Sequence, residues 1–191
     1  MQALILGASG SIADKVVALL SDEKNVQLKL FVRNIKRLGS HAGRNARVVE
    51  GDVLNIEDLR NAMTGVDIVY ANLAGDLEQM AKNIVSVMKE KRVKRLIFIC
   101  SIGIYEQPVK SVLIPYRKAA DVVESSGLDY TILRPTWFTN VDEVDYEITM
   151  KGEPERGSVV SRKSLATFIA RIIKSPESYI GQSLGINKPN S

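Results

Sequence analysis

The chain has 191 residues, 45% of them hydrophobic and 25% charged, with a formal net charge of +4; this mixture excludes a disordered tract and suits one folded domain over residues 1–191. No apolar run approaches the ~20 residues of a bilayer-spanning helix, so no membrane partner is expected. The excess positive charge is mild and spread along the chain, which argues against a nucleic-acid partner.

A short apolar run, Gln2–Leu6, opens the sequence with no basic leader before it, and a helical pattern follows at Ser11–Leu20. Further apolar runs at Gln27–Val32, Ala46–Glu50, 68–70, Arg95–Ile99 and 129–133 alternate with helical patterns at 56–63, 77–90 and 112–125. The runs are rich in Val, Ile, Leu and Phe without strict polar alternation, as strands buried on both faces must be. The alternation predicts an α/β fold: a Rossmann-type, doubly wound parallel sheet with helices on both faces. Asn55 stands where the N-cap of the helix at 56 belongs, and Gly127 where the helix ending at 125 needs a C-terminal cap.

Residues between these elements exclude several chemistries. The densest basic run, Lys89, Lys91, Arg92, Lys94 and Arg95, falls between a helix and a strand, where a solvated helix end accounts for it. His41 is the lone histidine and has no cluster of ligand types near it in sequence, so neither a metal site nor a Ser-His arrangement is expected. Cys100, the lone cysteine, ends an apolar run and reads as buried and inert; one cysteine also excludes an internal disulfide, and the expected setting is cytoplasmic. After Pro135 the rhythm changes: a polar stretch at 139–145, a strand at 146–151, the loop Gly152-Glu153-Pro154-Glu155, a helix at Arg162–Lys174 and a strand at 183–186. Residues 137–191 are expected to form a small extension over the carboxyl ends of the strands, on the substrate side.

The turn Gly7-Ala8-Ser9-Gly10-Ser11-Ile12-Ala13 follows a strand and opens a helix, the context in which spaced glycines hold a pyrophosphate. Gly7 permits the tight turn, Gly10 lets a phosphate approach the backbone, and Ala13 lets the helix pack on the strand. The free N–H groups and positive dipole end of the helix then face the anion, with Ser9, Ser11 and Ile12 beside it. A dinucleotide lacking a 2′-phosphate usually meets a carboxylate at the end of the second strand, yet that strand ends Leu30-Phe31-Val32-Arg33-Asn34. Arg33, followed by Lys36 and Arg37, suits a 2′-phosphate and predicts NADP rather than NAD. Asp52, in Glu50-Gly51-Asp52-Val53, is a candidate acceptor for an adenine amino group or a cap for the turn after it.

Gly7-x-x-Gly10-x-x-Ala13, Arg33, Gly51-Asp52-Val53, Ser101, Lys118 and Tyr130-Thr131-Ile132-Leu133-Arg134-Pro135 together resemble the short-chain dehydrogenase/reductase superfamily. The similarity is to its atypical NAD(P)H-binding branch, the NmrA-like and flavin or biliverdin reductase-like proteins. The resemblance implies a Rossmann domain with NADP across the strand ends: Asp52, Val53 and Ala74 along the cofactor, Ser101 near the nicotinamide, Lys118 on the ribose, and Arg134, Pro135, Thr136 and Trp137 beside the carboxamide and substrate.

One departure matters. Active dehydrogenases of the superfamily carry a Tyr one helical turn before the Lys, where the ammonium lowers the phenol's pKa. Here Ile114 stands four residues before Lys118, and Tyr116, two residues away, projects from another side of the helix. Carbonyl reduction through a Tyr-Lys pair is therefore disfavoured, and Tyr105 and Ser101 become the candidate proton donors beside Lys118. Trp137 and Phe138 are candidates for an apolar floor under a flat ring. The expected activity is hydride transfer from NADPH to a flat small molecule such as a flavin or quinone; the alternative is a non-catalytic NADP-binding redox sensor of NmrA-like type. The sequence leaves room for a homo-oligomer.

Overall fold

A computed structural model describes residues 1–38 and 46–191, so His41 lies outside the described residues. The strands are β1 (Gln2–Leu6), β2 (Gln27–Val32), β3 (Ala46–Glu50), β4 (Ile68–Ala71), β5 (Arg95–Ile99), β6 (Asp129–Pro135), β7 (Trp137–Thr139), β8 (Glu147–Met150), β9 (Val159–Ser161) and β10 (Gln182–Asn187). The α-helices are α1 (Ser11–Leu20), α2 (Ile56–Ala62), α3 (Leu77–Lys91), α4 (Ile114–Glu124) and α5 (Arg162–Lys174).

The main sheet runs β3-β2-β1-β4-β5-β6-β10-β8, parallel throughout except for β8, which pairs antiparallel with β10. The chain winds outward from β1 to β3, then returns to β4 and continues the other way. The order therefore reverses between β1 and β4, and the strand ends there leave the crevice in which such sheets hold ligands.

The central strands β1, β2, β4, β5 and β6 feed two cores, which explains the absence of polar alternation. Ala3 and Ile5 of β1 face α1 and α5, whereas Leu4 and Leu6 face the layer of α2, α3 and α4. Helix α1 buries Ile12, Ala13, Val16, Val17 and Leu20, a stripe at helical spacing. Asn55 caps α2 as expected, its side chain accepting from the N–H groups of Glu57 and Asp58. The expected cap at Gly127 is displaced: Ser125 is the C-cap of α4, and Gly127 follows with φ +72° in the turn to β6.

Two further departures fall at helix starts and in the C-terminal part. The pattern at 112–125 begins as a 3-10 turn, Ser111–Leu113, before α4 starts with Pro115 in its first turn. Beyond β6 the polar stretch is bounded by β7, which pairs in parallel with β9 as a separate two-stranded sheet. Part of the segment expected as an extension belongs to the main sheet, because β10 joins it beside β6.

Arg95 ties this late segment to the sheet. Its buried guanidinium donates to the carbonyls of Asp129 (2.8 Å) and Ser178 (2.9 Å), to Thr131 Oγ1 (2.8 Å) and to the Pro176 carbonyl. Arg95→Met keeps the stem and strands these acceptors, so it is expected to cost roughly 2–4 kcal/mol. Urea unfolding checks this: a fall in the midpoint at unchanged slope is the expected result.

Candidate functional site

At the point where the strand order reverses, a cleft of about 610 Å³ is lined by the β1–α1 turn, the exit of β2, the Gly51-Asp52-Val53 segment after β3 and Asn72-Leu73-Ala74 after β4. Met80 of α3 and Phe138 of β7 complete it. Its size is that of small-molecule and cofactor sites generally.

Backbone geometry sets the floor of this cleft. Gly7 has φ +79°, and a Cβ there would lie 2.2 Å from the Asn72 carbonyl oxygen, so β1 and β4 close upon a position that only glycine fills. Gly10 is the N-cap of α1 and offers no side-chain cap, leaving the first N–H groups of that helix open towards the cleft. Gly51 plays a similar part at the third strand: a Cβ there would meet the Phe31 ring at 2.7 Å. Gly7 and Gly51 thus answer to packing against Asn72 and Phe31, and the bare backbone beside the uncapped start of α1 fits a pyrophosphate.

The rim beyond β2 is cationic. Arg33, Asn34 and Arg37 line the cleft, and among the described residues no carboxylate pairs with either arginine. Asn34 caps the short 3-10 turn Ile35–Arg37 by accepting from the Lys36 N–H at 2.9 Å. That turn carries Arg37 back to the cleft, whereas Lys36 is not among its lining residues. Of the two roles open to Asp52, the turn cap is visible: Oδ1 accepts from the Leu54 N–H at 2.9 Å, while the residue still lines the cleft.

The residues expected at the reacting end divide into two groups. Ser101 is held to the end of β6, since Cys100 N–H donates to the Leu133 carbonyl (2.8 Å) and Ile102 N–H to that of Pro135 (3.1 Å). Pro135 and Thr136 are buried beside it, with Thr136 N–H bound to the Ile186 carbonyl at 3.2 Å. Buried Arg134 forms an ion pair with Glu155, whose Oε2 accepts from the Gly103 N–H at 2.8 Å, so the loop after β8 is clamped to the exit of β5.

Lys118 and Tyr105 are engaged elsewhere. Lys118 Nζ lies 3.1 Å from Glu78 of α3, and Ile114 begins α4 one turn before it. The Tyr105 hydroxyl donates to Glu124 Oε1 at 2.6 Å and lies 2.9 Å from Ser183 Oγ. Its ring sits among Arg117, Arg134 and Lys151, at 4.7, 5.1 and 4.4 Å from the centroid. Burial, reinforced by Glu124, pushes the phenol pKa up, so this hydroxyl holds its proton rather than releasing it. Neither residue lines the cleft, and Ser101, Pro135, Thr136 and Trp137 do not line it either. Cys100 is buried and its thiol pKa is pushed up by burial, in keeping with an inert core cysteine.

The aromatic pair stays at the surface. Trp137 is 80% exposed and Phe138 38% exposed, and Phe138 alone enters the cleft lining. Sequence reasoning missed Asn72, Leu73 and Met80. Nothing local marks Asn72, whose importance comes from lying under Gly7 across the strand pair.

A family model described as NAD(P)H-binding matches residues 7–176. The chain belongs to the NAD(P)H-binding family. A Rossmann-fold NAD(P)-binding family protein from Shigella flexneri superimposes on this NAD(P)H-binding chain with a TM-score of 0.92 at 47% identity, covering 100% of this chain and 94% of the other. A short-chain dehydrogenase/reductase from Veillonella parvula, solved in complex with NADP, gives a TM-score of 0.90 at 27% identity, covering 99% of this chain and 95% of the other. The Bacillus subtilis protein YhfK, described as an uncharacterized sugar epimerase, is 25% identical over 190 residues, covering 90% of this chain and 83% of its own length. The fold and superfamily expected from the glycine turn and the strand order are therefore those observed: an NAD(P)-binding Rossmann protein of the atypical short-chain dehydrogenase/reductase kind. Among the described residues no helix is long and apolar enough to cross a membrane, and no group of three metal-ligating side chains is assembled.

The two glycines of the turn make separable demands. Gly7→Ala forces a side chain into positive φ and onto Asn72, and is expected to cost roughly 2 kcal/mol or more. Gly10, at φ −74°, accepts alanine within about 1 kcal/mol. Thermal melts of the two variants check the difference; equal melting temperatures would contradict the geometry.

Proposed function

We propose that the chain is an NADPH-dependent reductase that transfers a hydride to a flat small-molecule acceptor such as a flavin or quinone. The observation carrying this reading is the pair Arg33 and Arg37, which have no carboxylate partner among the described residues, on a cleft whose other wall is the bare glycine turn. In this reading Gly7, Ser9, Gly10, Ser11 and Ile12 receive the pyrophosphate. Arg33 takes the 2′-phosphate, Asp52 and Val53 border the adenine, and Ala74 lies along the path to the nicotinamide. Ser101, Pro135 and Thr136 border the reacting end, where bound NADPH supplies the hydride. The NADP complex of the Veillonella protein, similar over nearly its whole length, supports the choice of cofactor.

The character of the acceptor follows from the carboxylates that already engage Lys118 and Tyr105. Lys118 meets a ribose only by giving up Glu78, and the Tyr105 proton is committed to Glu124. A conjugated acceptor suits that deficit, because the charge it gains is delocalised and its proton can come from water or the Ser101 hydroxyl. Exposed Phe138 and Trp137 offer apolar surface to a planar ring. The same deficit disfavours sugar epimerisation, the activity in the name of the B. subtilis relative, because that chemistry needs the missing phenol.

A complete cradle without a proton relay also favours a second reading, a non-catalytic NADP-binding redox sensor of NmrA-like type. NADPH oxidation assayed against flavins and quinones separates the two. The reductase reading expects turnover with at least one acceptor, kept within about twofold in Tyr105→Phe, because that hydroxyl is bound outside the cleft. Absence of turnover with every acceptor, alongside binding of both NADP and NADPH, leaves the sensor. For cofactor choice, Arg33→Ala is expected to weaken NADP by about tenfold or more and NAD little, read by titration calorimetry; equal losses would undo the NADP assignment.

A further inference from the structure

A cation from the far end of the sequence stands at the glycine turn. Arg162 is the first residue of α5, directly after the N-cap Ser161 at the end of β9. Its Nε donates to the Oγ of Ser11, the first residue of α1, at 3.3 Å and across 151 positions of sequence. Its Nη1 donates to Asn140 Oδ1 at 2.7 Å and to the Thr139 carbonyl at 3.5 Å. The guanidinium carbon lies 5.4 Å from the centre of the Phe138 ring. Ser11 and Phe138 both line the cleft, so Arg162 is fixed at its rim by contacts with two of its walls.

The needs of α5 do not explain this placement. A basic residue in the first turn opposes the helix dipole, and α5 starts with Arg162 and Lys163 and no acidic residue. Lys163 is compensated by Asp142 at 2.7 Å, but among the described residues no carboxylate pairs with Arg162. The bond pattern also leaves donors available. Because Nε donates to Ser11 Oγ, the Ser11 O–H is free to donate onward, and Arg162 Nη2 enters none of these bonds. Ser11 is itself the first residue of α1, whose N-cap Gly10 makes no side-chain cap bond, so these donors lie near the uncapped start of that helix.

We infer that Arg162 is an anion-binding residue of the cleft, gripping the pyrophosphate of the dinucleotide beside the glycine turn, next to Ser11. The inference rests on the nucleotide reading above and adds to it. Arg33 reads the 2′-phosphate, whereas Arg162 meets a group common to NADP and NAD, and so contributes affinity without choosing between them. It also makes the β7–β9 sheet a partner in binding, since the same guanidinium lies over Phe138 and holds Asn140.

The test is calorimetric titration of NADP, NAD and adenosine 2′-phosphate on wild type, Arg162→Gln and Arg162→Lys. Arg162→Gln is expected to weaken NADP and NAD alike by about tenfold, with Arg162→Lys between it and wild type. Adenosine 2′-phosphate, which has no pyrophosphate, is expected to bind all three equally. Equal binding of NADP by wild type and Arg162→Gln overturns the inference and leaves the nucleotide reading intact. A parallel loss for adenosine 2′-phosphate also overturns it, because the residue would then be supporting the cleft rather than holding phosphate. Binding of neither dinucleotide by wild type overturns the nucleotide reading and this inference together.

Discussion

The architecture turns on the close approach of β1 and β4 beneath Gly7. With the Asn72 carbonyl 2.2 Å from where a Cβ would stand, the chain leaves β1 in a conformation that brings α1 over the sheet with its uncapped end towards the crevice. Every other feature of the cleft is arranged around that backbone: the cationic exit of β2, the packed Gly51 after β3 and the Asn72-Leu73-Ala74 turn after β4. Main chain forms the glycine-turn end of the site, and side chains add charge at Arg33 and Arg37 and an apolar wall at Met80 and Phe138.

Much of this was legible because burial on two faces leaves a strong mark on sequence. β1, β2, β3 and β5 have the bounds that their apolar runs give, and α1 and α5 those of their periodic patterns. The Rossmann topology followed from alternation and from the glycine turn in its strand-to-helix context, and Arg33 stood out because it replaced an expected carboxylate. The parts that escaped depend on distant partners. β7 and β9 are each three residues long, and their pairing across some twenty positions has no local signature. The family resemblance puts Lys118 on a ribose and the missing family Tyr makes Tyr105 a candidate proton donor, yet Glu78 on α3 and Glu124 on α4 claim them, and neither carboxylate is adjacent in sequence.

Two buried networks hold the later strands together. Arg95 fastens the segment after α5 to β5 and β6, while the Arg134–Glu155 pair fastens the loop after β8 to Gly103. Both guanidinium groups are buried, so each bond they make is worth more, and each bond lost costs more, than at the surface. The exits of β5 and β6 are thereby set against each other, which fixes Ser101 beside Pro135 whatever approaches from solvent.

The position of β10 has a consequence for biogenesis. β6 gains its outer neighbour from residues 182–187, roughly fifty positions later in the chain, and β8 has no partner in the sheet except that same strand. As the polypeptide leaves the ribosome, β6 therefore emerges with a naked edge of amides and carbonyls that nothing yet synthesised can cover, and such edges invite pairing with other chains. Completion of the sheet waits until β10 has been made, and the interval between β6 and β10 is when the nascent chain most needs shielding.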